Sequence, residues 1–163
     1  MATYETIKTE ENKDVMEIVL NRPDSLNAVN ELMHEELTEV FDSAYDNEAR
    51  VVILSGAGTA FSAGGDIGWM ESTIENPGKF RKTIREGEEI IRDVLQFEKP
   101  IVAKINGDAT GLGATLALFC DIQIASANAR IGDPHIQAGL VAGDGGAVIW
   151  PLLTSMNKAK ELL

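Results

Sequence analysis

His135 and Asp144 stand nine residues apart, across a turn and just ahead of an apolar helical stretch. An imidazole can take up or give back a proton near neutral pH, because its ordinary pKa is about 6.5. A carboxylate bonded to one ring nitrogen fixes the tautomer and stabilises the imidazolium, so that the ring can activate water. The residues alone leave two plainer roles open. His135 can be a structural histidine beside Pro134, and Asp144 can cap the helix that follows. Capping that helix and orienting His135 are compatible.

Backbone offers a second chemistry. Phe61-Ser62-Ala63-Gly64-Gly65-Asp66-Ile67 follows an apolar strand and its loop. Asn106-Gly107-Asp108-Ala109-Thr110-Gly111-Leu112-Gly113 runs from another apolar strand into a helix. A strand followed by glycines and a helix start exposes unpaired N–H groups. Their partial positive charge favours an anion or a polarised carbonyl oxygen. Two such loops side by side would make a two-donor oxyanion hole. Neither loop fits a dinucleotide fingerprint or a phosphate-binding Gly-Lys-Ser/Thr loop. All 15 glycines follow Ser55, and 13 of them fall in the clusters 56–68, 107–113 and 132–146. This pattern reads as loops converging on one place, with ordinary tight turns as the alternative.

The elements that must position these loops alternate strand with helix, which predicts an α/β protein. Tyr4–Glu10 and Val15–Leu20 read as a hairpin with its turn at residues 11–14. Asn30 can cap a helix over 31–45 whose apolar face is Met33, Leu37, Val40, Phe41 and Ala44. Val51–Leu54 and Ile101–Ile105 are continuous apolar runs, as buried parallel strands are. A long helix fits 77–97, with Phe80, Ile84, Ile91, Val94 and Leu95 on one side. Gly111–Phe119 reads as a short apolar helix, Ile122–Ala125 as a strand, and 145–153 and 157–163 as helical. The chain stops at Leu163 without a Gly, Asn or Pro stop signal. That reads as an ending inside a helix, the mark of a fragment or of a product lacking its C-terminal part.

With 163 residues the expectation is one domain. Acidic residues number 26 against 14 basic ones, a net charge of −12. Nothing in that balance draws phosphates at long range, which argues against nucleic acid or an anionic membrane as partner. Cys120 is the single cysteine, so the chain has no intrachain disulfide and reads as intracellular, hence cytoplasmic. Met1–Glu10 lacks the apolar core of a signal peptide, and no apolar run reaches the ~20 residues of a membrane helix. Cys120 reads as packing, His34 as a solvated helix residue, Asp66 as a residue that tidies the Gly64-Gly65 loop. Trp69 and Trp150 read as core, although Trp69 follows the first loop closely enough to line a pocket. Lys79, Arg81, Lys82, Arg85 and Arg92 form a basic cluster interleaved with Glu86, Glu88 and Glu89, which reads as a solvated face.

Leu20-Asn21-Arg22-Pro23…Leu26-Asn27-Ala28, then the first glycine loop, then Lys99-Pro100-Ile101-Val102-Ala103…Asn106-Gly107…Gly111-Leu112-Gly113, then Cys120-Asp121-Ile122 resembles the crotonase superfamily (enoyl-CoA hydratase/isomerase). The resemblance implies a spiral of ββα units and an acyl-CoA or related carbonyl substrate, with no cofactor and no metal. It implies an oxyanion hole from the N–H groups of Gly65 and Leu112. The backbone at Ala63, Gly64, Asp66 and Ile67 would take the adenine end of CoA, and Gly111 would be a further substrate-binding residue. The basic cluster could then meet the CoA phosphates. The family's domain continues past the equivalent of Leu163, with helices that close the pocket and build trimers or hexamers.

By the order of the motifs, Thr115 and His135 occupy the places of the glutamates that handle water and proton in hydratases. A threonine hydroxyl is no general base near neutral pH, whereas imidazole is one. Asp133-Pro134-His135 with Gly143-Asp144-Gly145-Gly146 and Val148-Ile149-Trp150-Pro151 resembles the β-diketone hydrolases of the same superfamily, the 6-oxocamphor hydrolase type. Those use a His–Asp pair to cleave a carbon–carbon bond between carbonyls. Three readings follow: an enzyme acting on an acyl-CoA, a carbon–carbon hydrolase of a diketone, and an inactive truncated product or binding subunit.

Overall fold

A computed structural model describes residues 3–163; the first two residues of Met1–Glu10 lie outside it. Strands β1 (Ile7–Asn12) and β2 (Val15–Leu20) form an antiparallel hairpin. Its turn is tighter than the sequence predicts, because Lys13 takes a left-handed conformation (φ 56°) and Glu11 and Asn12 stay in the ladder. From β2 onward every pairing is parallel: β3 (Val51–Gly56), β4 (Ile101–Ile105) and β6 (Ile122–Ala125) complete a sheet of order β1-β2-β3-β4-β6. Parallel neighbours need long crossovers, and the helices supply them. In β2, Met16, Ile18 and Leu20 alternate into the core.

Helix α1 (Glu31–Tyr45) starts where Asn30 Oδ1 accepts the Met33 N–H at 3.0 Å. It buries the apolar face the spacing predicts. Each large side chain so buried is worth about 1.5–3 kcal/mol of transfer free energy. Leu37→Ala, at a fully buried position, should therefore cost about 2–5 kcal/mol.

After β3 come α2 (Ile67–Ile74), which the sequence reading did not anticipate, and α3 (Pro77–Gln96). The predicted apolar side of α3 is split. Ile90 and Val94 are buried and Ile91 is half-buried, whereas Phe80, Ile84 and Leu95 are exposed. Helix α3 packs against α1, and its buried residues Ile90 and Val94 lie to one side of the predicted stripe. His34, expected in solvent, is buried between the two helices for the same reason. Its Nδ1 lies 3.1 Å from Glu86 Oε2 and its ring 5.0 Å from that of Trp69. Burial lowers its pKa, against the pull of Glu86.

A second, smaller sheet carries the loops. Strand β5 (Ala109–Thr110) pairs in parallel with β7 (Ile131–Gly132), and single bridges add Ser62 to Ala109 and Val29 to Gly65. Each pass of the chain thus lays one strand in the large sheet and an extended segment in the small one, then runs into a helix. Helix α4 (Leu112–Phe119) follows β5, and α5 (Gly146–Leu153) and α6 (Met156–Leu162) close the order. No helix among the described residues is long and apolar enough to cross a membrane.

Candidate active site

The glycine loops converge at the end of the small sheet. Thr110 N donates to Ser62 O at 2.9 Å, and Gly111 N to Gly132 O at 3.1 Å. Gly64 and Gly111 have positive φ (84° and 52°), and a Cβ on Gly64 would stand 2.7 Å from Thr110 O. Only residues without a side chain let these two backbones meet so closely.

This construction selects which N–H groups stay free. Ala63 N donates to Leu26 O, Gly64 N to Ser62 Oγ, and Asp66 N to Val29 O. Between them, the Gly65 N–H has no acceptor among the described residues. Across the junction, the Leu112 N–H at the start of α4 has none either. The Leu112 side chain belongs to the main core and is 8% exposed. Asp66 lies outside the pair of free donors. It caps α2 through Trp69 N and meets Arg22 Nη1 at 3.3 Å. Ala63 and Ile67 are exposed on either side of Gly64-Gly65.

His135 arrives at the same junction. A Cβ built on Gly111 would lie 3.6 Å from its Cε1 and 3.8 Å from Gly64 Cα. The structure also brings Asp144 to His135, with Asp144 Oδ2 3.6 Å from Nε2. That is ion-pair range but too long for a hydrogen bond. The carboxylate bonded to the ring is another one: Asp133 Oδ1 takes the Nδ1 position and also accepts the His135 backbone N–H at 3.0 Å. The Asp133 side chain is fully buried. Asp133 stands in the Asp133-Pro134-His135 motif with no role that its sequence context alone assigns. The signal was its place two residues before His135, where a carboxylate can bond both the backbone and the ring of that histidine. Asp144 Oδ1 accepts the Gly146 N–H at 3.1 Å at the start of α5, so it serves that helix as well as facing the ring.

Burial raises the Asp144 pKa, partly offset by His135. Thr115, fully buried on α4, packs against the same segment: its methyl lies 3.1 Å from the Cβ position of Gly145. Thr115 Oγ1, Asp133 Oδ2 and Asp144 Oδ2 are buried without a hydrogen-bond partner among the described residues. One donor atom each from Asp133, His135 and Asp144 lies within 4.8 Å of the others. Such a group can share a proton or hold a divalent cation. Elsewhere, Cys120 is buried and its thiol is pushed up to about 12, leaving an inert packing residue. In the basic cluster, Lys79 pairs with Glu31, and Lys82 with Glu35 and Glu86.

Residues 10–163 match the profile of the enoyl-CoA hydratase/isomerase family. A short-chain-enoyl-CoA hydratase of Clostridium acetobutylicum is 39% identical over 158 residues, 94% of this chain and 59% of that protein. A crotonyl-CoA hydratase of Syntrophomonas wolfei is 33% identical over 162 residues, 98% of this chain and 62% of that protein. The crystal structure of an enoyl-CoA hydratase/isomerase from Mycobacterium paratuberculosis superimposes with a TM-score of 0.94 at 42% identity, covering 99% of this chain and 66% of that one. The chain spans less than two thirds of the length of each. The α/β fold of successive ββα passes is that of these relatives, and the chain belongs to the enoyl-CoA hydratase/isomerase family of the crotonase superfamily.

Proposed function

We propose that the protein is an enzyme that polarises the carbonyl of an acyl-CoA or related substrate at the Gly65 and Leu112 N–H groups and moves protons with His135. The observation that carries this is the selection of Gly65: its neighbours' N–H groups are spent inside the fold and its own is not. Two donors fixed before the reaction stabilise an enolate or oxyanion without having to reorganise. Asp133 at Nδ1 leaves the proton on that nitrogen and a lone pair on Nε2, the nitrogen facing Asp144. Ala63 and Ile67, exposed beside Gly64-Gly65, suit the adenine end of CoA.

The His135 cluster favours a second reading, hydrolysis of a β-diketone. Nε2 would take a proton from water as its oxygen adds to one carbonyl. The carbon–carbon bond to the carbon between the carbonyls would break. Its electron pair would move onto the second carbonyl as an enolate held at the N–H groups, and the proton would return to carbon. In the hydratase reaction the same groups would have to add water across an enoyl double bond without the two glutamates, a poorer match to Thr115 and His135.

Parallel assays with crotonyl-CoA and a cyclic β-diketone test this. Slow hydration with clear diketone cleavage supports the hydrolase. Brisk hydration of crotonyl-CoA shows that imidazole suffices and supports the acyl-CoA reading. No turnover of either by folded protein overturns the enzyme reading in favour of a binding subunit.

A further inference from the structure

We propose that Ser62 is the positioning residue for both N–H donors, fixing the first loop through its hydroxyl and the second through its backbone and Cβ. This rests on the oxyanion reading of Gly65 and Leu112 and extends it to what aims them. Ser62 is fully buried. Its Oγ–H donates to Asn27 O at 2.8 Å, and the same oxygen accepts the Gly64 N–H at 3.2 Å. That second bond removes the Gly64 donor from the site and sets the peptide that precedes the free Gly65 N–H. Toward the other loop, Ser62 O accepts Thr110 N at 2.9 Å and Ser62 N donates to Asp108 O at 3.2 Å. A Cβ on Gly113 would fall 2.6 Å from Ser62 Cβ and 2.8 Å from its Oγ. The serine side chain therefore seats directly against the first turn of α4, at the residue after Leu112.

The anchor behind Ser62 is itself over-determined. Asn27 is fully buried in a left-handed conformation (φ 55°) that a non-glycine residue rarely adopts. Its side chain holds it there: Oδ1 accepts Arg22 N at 2.9 Å, and Nδ2 donates to Ala57 O and Ala60 O at 2.8 and 2.9 Å. The conformation presents the Asn27 carbonyl to the serine. The hydroxyl proton is thereby committed to a carbonyl, and no imidazole bonds Ser62 among the described residues, so Ser62 is no nucleophile. Its hydroxyl has one proton and one acceptor function in use, and each contact ends on a segment that shapes the site.

The test uses the full chain and two readouts. The first is the absorbance of bound hexadienoyl-CoA, a conjugated thioester whose band moves to longer wavelength as donors polarise its carbonyl. The second is amide hydrogen exchange at Gly64 and Thr110, which needs no ligand. In Ser62→Ala, most of the red shift seen with the parent should vanish while the thioester remains bound, and Gly64 should lose at least tenfold in protection. Ser62→Cys keeps the shape with a weaker donor and acceptor. It should fall between, and it serves as the deciding variant if Ser62→Ala does not fold. Full shift and unchanged Gly64 exchange in the folded variant overturn the role of Ser62 alone. A bound thioester with no shift in the parent removes the oxyanion reading, and the positioning role with it. If the parent does not bind the thioester, exchange decides: equal protection in parent and variant overturns the proposal, and selective loss at Gly64 supports it.

Discussion

The loops that present backbone donors and the stretch that presents side chains are built in opposite ways. Around the donors, Asn27, Phe61, Ser62 and Ala109 are all fully buried, and the loops are tied to distant parts of the chain. Glycine there is a matter of space: a Cβ on Gly107 would stand 1.9 Å from Thr59 O, and one on Gly56 2.3 Å from Phe61 O. From Gly132 to Gly145 the bonds are mostly local, such as Gln137 N to Pro134 O and Leu140 N to His135 O. Ile136 and Val141 are 69% and 85% exposed, and a Cβ on Gly132 or Gly139 would meet nothing within 4 Å. An N–H can be aimed only by fixing the peptide that carries it, so donor loops must be locked by the fold. A histidine can be aimed by one neighbouring carboxylate, and its segment can stay open.

Breaking the side-chain half should have the largest effect. His135→Ala removes the proposed base, and turnover of whichever substrate is accepted should fall about 10²–10⁴-fold; the melting temperature should fall as well, because the buried Asp133 carboxylate loses its ring partner. Gly65→Pro deletes one donor and should cost about 10²–10³-fold in kcat. Unaltered kcat in folded Gly65→Pro would remove that N–H from the chemistry.

The difference in space is sharpened by stability rather than rate. Gly107→Ala forces a methyl into backbone and should cost about 1–3 kcal/mol or more, visible as a lower melting temperature. Gly132→Ala meets open space at an ordinary φ and should be neutral or stabilise by up to about 1 kcal/mol. Equal effects would mean that the two regions are locked alike. A smaller effect comes from Asp144, whose carboxyl burial holds above the usual range. Its protonated form favours the fold. That contribution is complete below the unfolded-state pKa of about 3.9, and is lost as pH rises through the higher folded-state value. Asp144→Asn keeps an uncharged acceptor for the Gly146 N–H, so its stability relative to the parent should improve as pH rises from acid toward neutral, read by urea unfolding. The smallest effect should come from chelation. If the Asp133–His135–Asp144 group shares a proton, dialysis against EDTA leaves turnover unchanged. Loss of activity restored by a divalent cation would make the group a metal centre.

What was legible in the sequence follows the same division. Helix α1 could be read because one capping asparagine and five regularly spaced apolar residues point the same way. Strands β3 and β4 could be read because parallel strands are apolar on both faces. The convergence of the glycine clusters was legible for a steric reason: backbones that meet must lack side chains. His34 and the outer stripe of α3 were misplaced because the crossing of α1 and α3 is set by tertiary packing, which local periodicity does not encode. Asp133 went unassigned because a carboxylate two residues before a histidine looks local and structural. Its role shows only when its side chain is found buried against the ring, while Asp144 stands 3.6 Å from the other nitrogen.

The most direct test is a mutant cycle on turnover with His135→Ala, Asp133→Asn and their combination. If Asp133 sets the tautomer of His135, Asp133→Asn alone should lose a large part of what His135→Ala loses, and the double variant should be no worse than His135→Ala. Independent losses that multiply, or an Asp133→Asn change confined to stability, would contradict the proposal that Asp133 orients His135 for proton transfer.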